Sequence, residues 1–165
     1  IIPPHTYWGK WGQDFVLRSR FTVPVEWGSP GPVALYMPLG NAGDFSHPEA
    51  LVYIDGEPFA ACDRHHQEIR LDSEWQDGKL HELALHGWTG GGVMSVGSDG
   101  ESRLGRQLLM GQCRIVEIDQ PTRDFVAAAR TALGVADELD DNQPAKGELL
   151  NGLDEAFRLL DIREP

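Results

Sequence analysis

Between Ala50 and Leu71 the chain reads ALVYIDGEPFAACDRHHQEIRL. The Asp55-Gly56 pair inside this run narrows the possible folds more than any other two residues. An Asp-Gly dipeptide accepts the positive φ angles of a two-residue hairpin turn, so the chain must reverse there and pair with itself. Upstream, Leu51, Tyr53 and Asp55 alternate with Val52, Ile54 and Gly56 in a β-branched and aromatic run, which predicts a strand with both faces largely covered. Downstream, Glu57 to Ala61 is the returning strand. A dense polar knot, Asp63-Arg64-His65-His66-Gln67, then separates it from renewed apolar alternation at Ile69 and Leu71. Ionisable side chains crowded between two strands belong at the rim of a sheet, where binding groups usually sit.

The rest of the first two thirds has the same character. From Asp14 to Val25, Phe15, Leu17, Phe21 and Val23 recur at period two, with Arg18, Arg20 and Thr22 opposite, which predicts a strand with one wet face. Pro24 marks its end or an edge position. The segment GSPGP before Val33 is turn chemistry, Val33 to Leu39 is a short apolar strand, and Asn41 to Pro48 is loop-like. Another Asp-Gly turn at Asp77-Gly78 precedes alternation from Lys79 to Trp88, with His81, Leu83 and Leu85 on one face and Glu82, Ala84 and His86 on the other. The glycine-rich connection from Thr89 to Gly92 lacks the Gly-Lys-Ser/Thr ending of a phosphate loop. Leu104 to Ile118 supplies one long strand or two short ones. After Pro121 the period changes: Phe125, Ala129, Leu133, Ala136 and Leu139 recur at helical spacing, and Leu149, Leu150, Leu153, Ala156, Phe157 and Leu160 form a second helical stripe. The connection DDNQPAKG is short enough to fold the two helices into an antiparallel hairpin. The predicted architecture is therefore mainly β: an antiparallel β-sandwich of jelly-roll form spanning residues 1–119, followed by a helical hairpin over 120–165.

Charge and composition exclude several classes. With 26 acidic against 14 basic residues and a net charge of −12, the chain repels phosphate backbones and anionic membrane surfaces, so neither nucleic acid nor membrane is an expected partner. The first residues, IIPPHTYWGK, lack the layout of a secretion signal, and no apolar run reaches the length of a membrane span. Cys62 and Cys113 stand at no metal-type spacing and read as two free buried thiols. A cytoplasmic location is the expectation. The abrupt first and last residues suggest a segment of something longer.

Three constellations bear on chemistry. His65 and His66 with Asp63 and Glu68, extended by His81 and His86, are the nearest approach to a metal-ligand set. Residues five apart on a regular strand face opposite ways, however, so His81 and His86 cannot share an ion without a bulge. Hydrogen-bonded rim histidines are expected instead. Asp63 and Glu68 are the one carboxylate pair worth weighing for glycoside chemistry, although acids flanking an Arg and two His more often form an ion-pair network. Finally, Trp8, Trp11, Trp27, Trp75 and Trp88 offer flat apolar faces on which a pyranose can stack, against the plainer role of filling a sandwich core.

The run ALVYIDGEPFAACDRHHQEIRL, then DGKLHELALHGWTG, then TRDFVAAARTALGVADELDDN and LLNGLDEAFRLLDI, resembles the N-terminal ancillary region of family-38 glycoside hydrolases, above all the cytoplasmic or vacuolar type of α-mannosidase. Asp55, Gly56, Asp63, Arg64, His66, Gln67 and Glu68 carry the most specific part of the likeness, which extends from Asp14 to Ile162. The resemblance implies a galactose-binding-like β-sandwich and a helical linker leading to a separate catalytic barrel, which holds zinc and the aspartate nucleophile of a retaining mechanism. The barrel's zinc motif is not found in these 165 residues, so no catalytic residue, metal ligand or cofactor is assigned to this chain; zinc is expected in the catalytic domain that lies outside it. The implied role is a non-catalytic domain of an α-mannoside hydrolase, serving as scaffold, subunit contact or active-site rim, with an autonomous carbohydrate-binding module as the alternative. Asp63, Arg64, His65, His66, Gln67 and Trp88 are the candidate carbohydrate or rim contacts. The expected partners are the catalytic barrel of the same chain, mannose-type sugars and a second copy in a homo-oligomer.

Overall fold

In a computed structural model the described residues are 1–10, 12–27, 31–40, 47–90 and 107–160. Trp11, Leu104, the start of the GSPGP turn, most of the Asn41–Pro48 segment and the end of the Thr89–Gly92 connection lie outside them. The described strands are β1 (Tyr7–Trp8), β2 (Asp14–Phe21), β3 (Val33–Tyr36), β4 (Glu49–Ile54), β5 (Glu57–Cys62), β6 (Glu68–Arg70), β7 (His81–Trp88), β8 (Leu108–Leu109) and β9 (Arg114–Glu117), with a 3₁₀ turn at Ser73–Trp75. They form an antiparallel four-stranded sheet in the order β2-β7-β4-β5, a three-stranded sheet in the order β6-β3-β9, and a two-stranded β1-β8 pair. The protein is thus mainly β with two C-terminal helices, as the periodicities require. One detail differs from expectation: Tyr7–Trp8 is a strand, too short to show a period. The described part of the 104–118 stretch takes the second of its two expected forms, two short strands.

The core is assembled from one face of each large sheet. Val52 and Ile54 of β4, Leu83 and Leu85 of β7, Phe21 of β2, and Val33 and Leu35 of β3 are all buried, together with Val23, Leu39 and Leu71 beyond the strand ends. The other face of the four-stranded sheet is wet. Leu51 is 52% exposed and Val16 56%, so β4 is covered on one face only, contrary to the two-sided burial that its composition suggests. Composition cannot separate the cases because Leu and Tyr are at home on a half-covered antiparallel strand. On β2 the inward row runs Phe15, Leu17, Ser19, Phe21; Leu17 is only half-buried and Ser19 is exposed, because the sandwich stays open along this edge.

Two turns at one end of the sandwich are fastened to each other. Asp55 has φ 51° and Gly56 φ 88°, the pair of positive angles expected of the Asp-Gly hairpin. With its backbone fixed, Asp55 projects a carboxylate onto the start of β7: one oxygen accepts from the Glu82 amide at 2.7 Å and the other meets His81 Nδ1 at 2.8 Å. His81 Nε2 lies 3.0 Å from Asp77 Oδ1 in the second Asp-Gly turn. Asp77 also takes the Lys79 ammonium at 2.5 Å. Trp75 and Phe21 flank the imidazole, their ring centroids at 5.2 and 5.5 Å. His81 is 6% exposed and bonded to a carboxylate on each side, which favours its charged form: Asp55 raises its pKa most, burial opposes, and Asp77 adds to the rise. The partners move the other way. Asp55 is lowered chiefly by His81, and Asp77 chiefly by Lys79. Farther along β7, Gly87 passes so close to β4 that a Cβ there would sit 2.2 Å from the Glu49 carbonyl oxygen and 2.7 Å from Ala50 Cβ. That packing admits no side chain.

The chain divides into two compact units, Ile1–Ile118 and Asp119–Pro165. In the second, α1 (Gln120–Glu138) and α2 (Pro144–Leu159) pack against each other as a hairpin. Asp119 caps α1, its carboxylate accepting from the Thr122 amide at 3.1 Å and the Thr122 hydroxyl at 2.7 Å, which satisfies donors that a helix start leaves open. Pro144 opens α2, so the PAKG of the predicted connection is helical, as Pro at a first turn permits. Phe125 and Phe157 meet edge to face at 5.4 Å, and Ala129 and Ala136 are buried along the seam.

The bracketed histidine sets a pH signature. Its contribution is complete below the unfolded imidazole pKa of about 6.5 and lost as pH rises through the raised folded value. The contribution of Asp55 and Asp77 is present above about pH 4 and lost as pH falls through their lowered values. Replacing His81 with Asn is therefore expected to lower Tm most at about pH 5, with the deficit narrowing toward alkaline and strongly acid conditions. Thermal denaturation across pH checks this, and a deficit independent of pH would refute the bridge.

Candidate functional site

The polar knot is a tight turn hung between β5 and β6. Asp63 follows the last residue of β5, and its Oδ1 accepts from the amides of His65 at 2.6 Å and His66 at 2.8 Å. This is the local bonding by which a short carboxylate closes a turn. The His66 ring returns to the same carboxylate, Nδ1 lying 3.0 Å from both oxygens. Burial pushes the Asp63 pKa up, but the His66 ring and the two amides outweigh it and hold the carboxyl at about 2. The turn is also tied to β3. Gln67 accepts at its carbonyl from the Met37 amide at 2.7 Å and at Oε1 from the Tyr36 hydroxyl at 3.2 Å, while the Cys62 thiol leans on the Met37 carbonyl at 3.6 Å.

Of the candidate contacts, Asp63, Arg64 and Gln67 are half-buried, whereas His65 and His66 are exposed. Trp88 is not part of the turn. It stands at the end of β7 on the wet face, 41% exposed, directly between Asp14 of β2 and Glu49 of β4 in register. A residue that the sequence reading left inside a loop connects the two places. His47 Nε2 lies 3.8 Å from Glu49 Oε1, and its ring meets that of His65 edge to face at 5.9 Å. The candidates therefore occupy one end of the sandwich in the order Trp88, Glu49, His47, His65, with Asp63 and His66 beyond. No spacing rule identifies His47, because only the β4 register brings Glu49 beside Trp88.

The electrostatics limit the chemistry. A glycosidase acid needs a carboxyl kept protonated; Asp63 is held ionised instead, and Glu68 has Arg70 at 3.8 Å. Asp63 serves as a hydrogen-bond acceptor that closes the turn. Cys62 is buried, and burial with the adjacent Asp63 pushes its thiol up to about 12, so it is neither nucleophile nor thiolate ligand. Cys113 is exposed rather than buried; it precedes β9 on the open side of the sandwich. His81 and His86 face opposite ways on β7, one buried and one exposed. Among the described residues no three His, Cys, Asp or Glu side chains are grouped to hold a metal ion, and no helix is long and apolar enough to cross a membrane. Of the tryptophans, Trp8 is buried, its Nε1 donating to the Leu39 carbonyl at 2.8 Å, and Trp27 and Trp75 pack against the core. Trp88 alone of the four described is left facing solvent. No family model matches the sequence, and no curated protein matches it.

Replacing Asp63 with Ala is expected to cost about 1–2 kcal/mol, since two amides and an imidazole lose their acceptor. Asn, which keeps a carbonyl for the amides, costs less. The advantage of wild type over Asp63→Asn is present above about pH 4 and shrinks as pH falls toward about 2. Urea denaturation of the three proteins measures all of this; equal midpoints at pH 7 would show the carboxylate to be idle.

Proposed function

We propose that this chain is the non-catalytic N-terminal domain of a retaining, zinc-dependent α-mannosidase, and that it acts as a rigid support whose polar end forms part of an active-site rim. The observation carrying the reading is the order of motifs on the fold: the Asp55-Gly56 hairpin, the Asp63 to Glu68 turn, the HELALHGW strand and two helices follow one another as in the family that the sequence resembles. The electrostatics agree with such a role. Ionised Asp63, exposed His65 and His66, and Gln67 held by Tyr36 offer donors and acceptors for hydroxyl groups, without a proton-donating carboxyl. Among the described residues no three His, Cys, Asp or Glu side chains are grouped as a zinc donor set; in this reading the metal and the bond cleavage belong to the catalytic domain. Incubated with an aryl α-mannoside, the purified 165-residue chain is expected to give no turnover with or without zinc; turnover abolished by a chelator would overturn the proposal.

A second reading, a carbohydrate-binding module, is favoured by one arrangement. Trp88 has a carboxylate-bearing residue on each side, Asp14 and Glu49, and the adjoining row on the same face holds Val16, His86 and Leu51. An aromatic face accepts the C–H side of a pyranose while flanking carboxylates accept its hydroxyls, as for other amphipathic ring contacts. Under this reading methyl α-mannoside perturbs Trp88 with a Kd near ~1 mM, and Trp88→Ala abolishes the effect with little loss of stability. A flat fluorescence titration into tens of millimolar would dispose of it.

A further inference from the structure

The wet face of the four-stranded sheet carries a patch whose two ends differ in charge. Three rows cross β2, β7 and β4 at matching register: Asp14, Trp88 and Glu49, then Val16, His86 and Leu51, then Arg18, Ala84 and Tyr53. Neighbouring rows stand about 7 Å apart, two residues along each strand. Val16, Leu51 and Trp88 are all exposed, so the apolar surface here is contiguous, which marks interaction sites more often than scattered single residues do. The first row ends in acids. In the third, Arg18 stands on the same strand as Asp14, four residues on. Both are exposed, and neither has an ion-pair partner among the described residues, whereas Arg20 meets Glu82 and Glu49 meets His47.

We infer that this face packs against the same face of a second copy of the chain, about a two-fold axis lying along the Val16-His86-Leu51 row. Such an axis turns the first row of one copy over the third row of the other, and each resulting pair is complementary. Asp14 meets the partner's Arg18, and Arg18 meets the partner's Asp14. Trp88, the bulkiest side chain of the patch, meets the partner's Ala84, which leaves it room. Glu49 accepts from the phenol of the partner's Tyr53. Along the axis Val16 and Leu51 meet their own counterparts. The contact is isologous, one patch serving on both sides, and stacks two sheets face to face as inside a sandwich. An added peptide strand is a poorer occupant, because β7 and β4 are each paired on both sides and present no free edge. A surface of one charge would satisfy only one end. The inference goes beyond the rim role proposed above, and it competes with the carbohydrate reading for Trp88.

Sedimentation of the full chain over a concentration series tests it, in about 0.15 M salt so that the net charge of −12 on each copy is screened. A contact of this size lies at the low end of specific interfaces, so a dimer with a Kd of about 10–100 µM is expected. Amide shifts in residues 14–18, 49–53 and 84–88 should follow the same curve. Asp14→Arg and Arg18→Asp, both exposed changes, each weaken association about tenfold or more. Mixed together, the two variants associate as wild type does, because every acid again faces an arginine. Val16→Glu, which sets a carboxylate against its own copy on the axis, abolishes the dimer by a separate route. The inference is overturned if the chain stays monomeric up to ~1 mM, or if the shifted amides lie elsewhere. It is equally overturned if the dimer survives Val16→Glu or either charge reversal, or if the mixture associates no better than each variant alone.

Discussion

Asp55 is the residue on which the sandwich turns, because two constraints converge on it. Its backbone adopts a left-handed φ, tolerable for Asp and costly for most other side chains, and that angle sets the hairpin that pairs β4 with β5. The same residue then aims a carboxylate at a buried imidazole. A charged histidine is costly to bury alone; between two carboxylates, with an ammonium on the farther one, its charge is met on both sides. The three groups join segments more than twenty residues apart, and they do so where β7, the strand that holds β2 and β4 together, begins. Strand register follows from that anchor. Since side chains alternate, a slip of one residue would turn His81 outward and Glu82 into the core.

Much of this was legible beforehand, and the reasons are physical. Asp-Gly dipeptides announce their turns, and alternation on β2 and β7 announces which residues share a face. Asp119 and Pro121 mark a helix start, and the spacing from Phe125 to Leu139 marks its course. Other features depend on what lies across a gap in sequence. Nothing local tells Leu51 that it faces water, since the same residues suit a strand covered on one side or on both. His81 reads as one of several histidines on an acidic chain until the hairpin places Asp55 against it. The candidate site divides in the same way. The Asp63 turn is a local motif and could be read directly, whereas the approach of His47 to His65 and the isolation of Trp88 between Asp14 and Glu49 come from register alone.

The acids of this chain show why composition is a poor guide to chemistry. Their number invites a search for a catalytic pair, yet Asp55, Asp63, Asp77, Asp119 and Asp141 are each lowered by hydrogen bonds from amides, an imidazole, an ammonium or a hydroxyl. Asp63, Asp77 and Asp119 each close a turn or begin a helix, and each is lowered accordingly. Acids used in this way stabilise loops. What remains open to solvent at the candidate end is a set of acceptors and two imidazoles.

The close approach of Gly87 to β4 bears on how this sequence can vary. A methyl group there has no room, and the obstructing atoms belong to backbone and to Ala50, which cannot swing aside. Gly56 differs: a Cβ would meet nothing within 4 Å, and only its torsion angle restricts the choice. In a saturation library sorted for folded protein, position 56 would return glycine with some asparagine and aspartate, whereas position 87 would return glycine alone. A residue with no side chain would thus be among the least replaceable in the sheet.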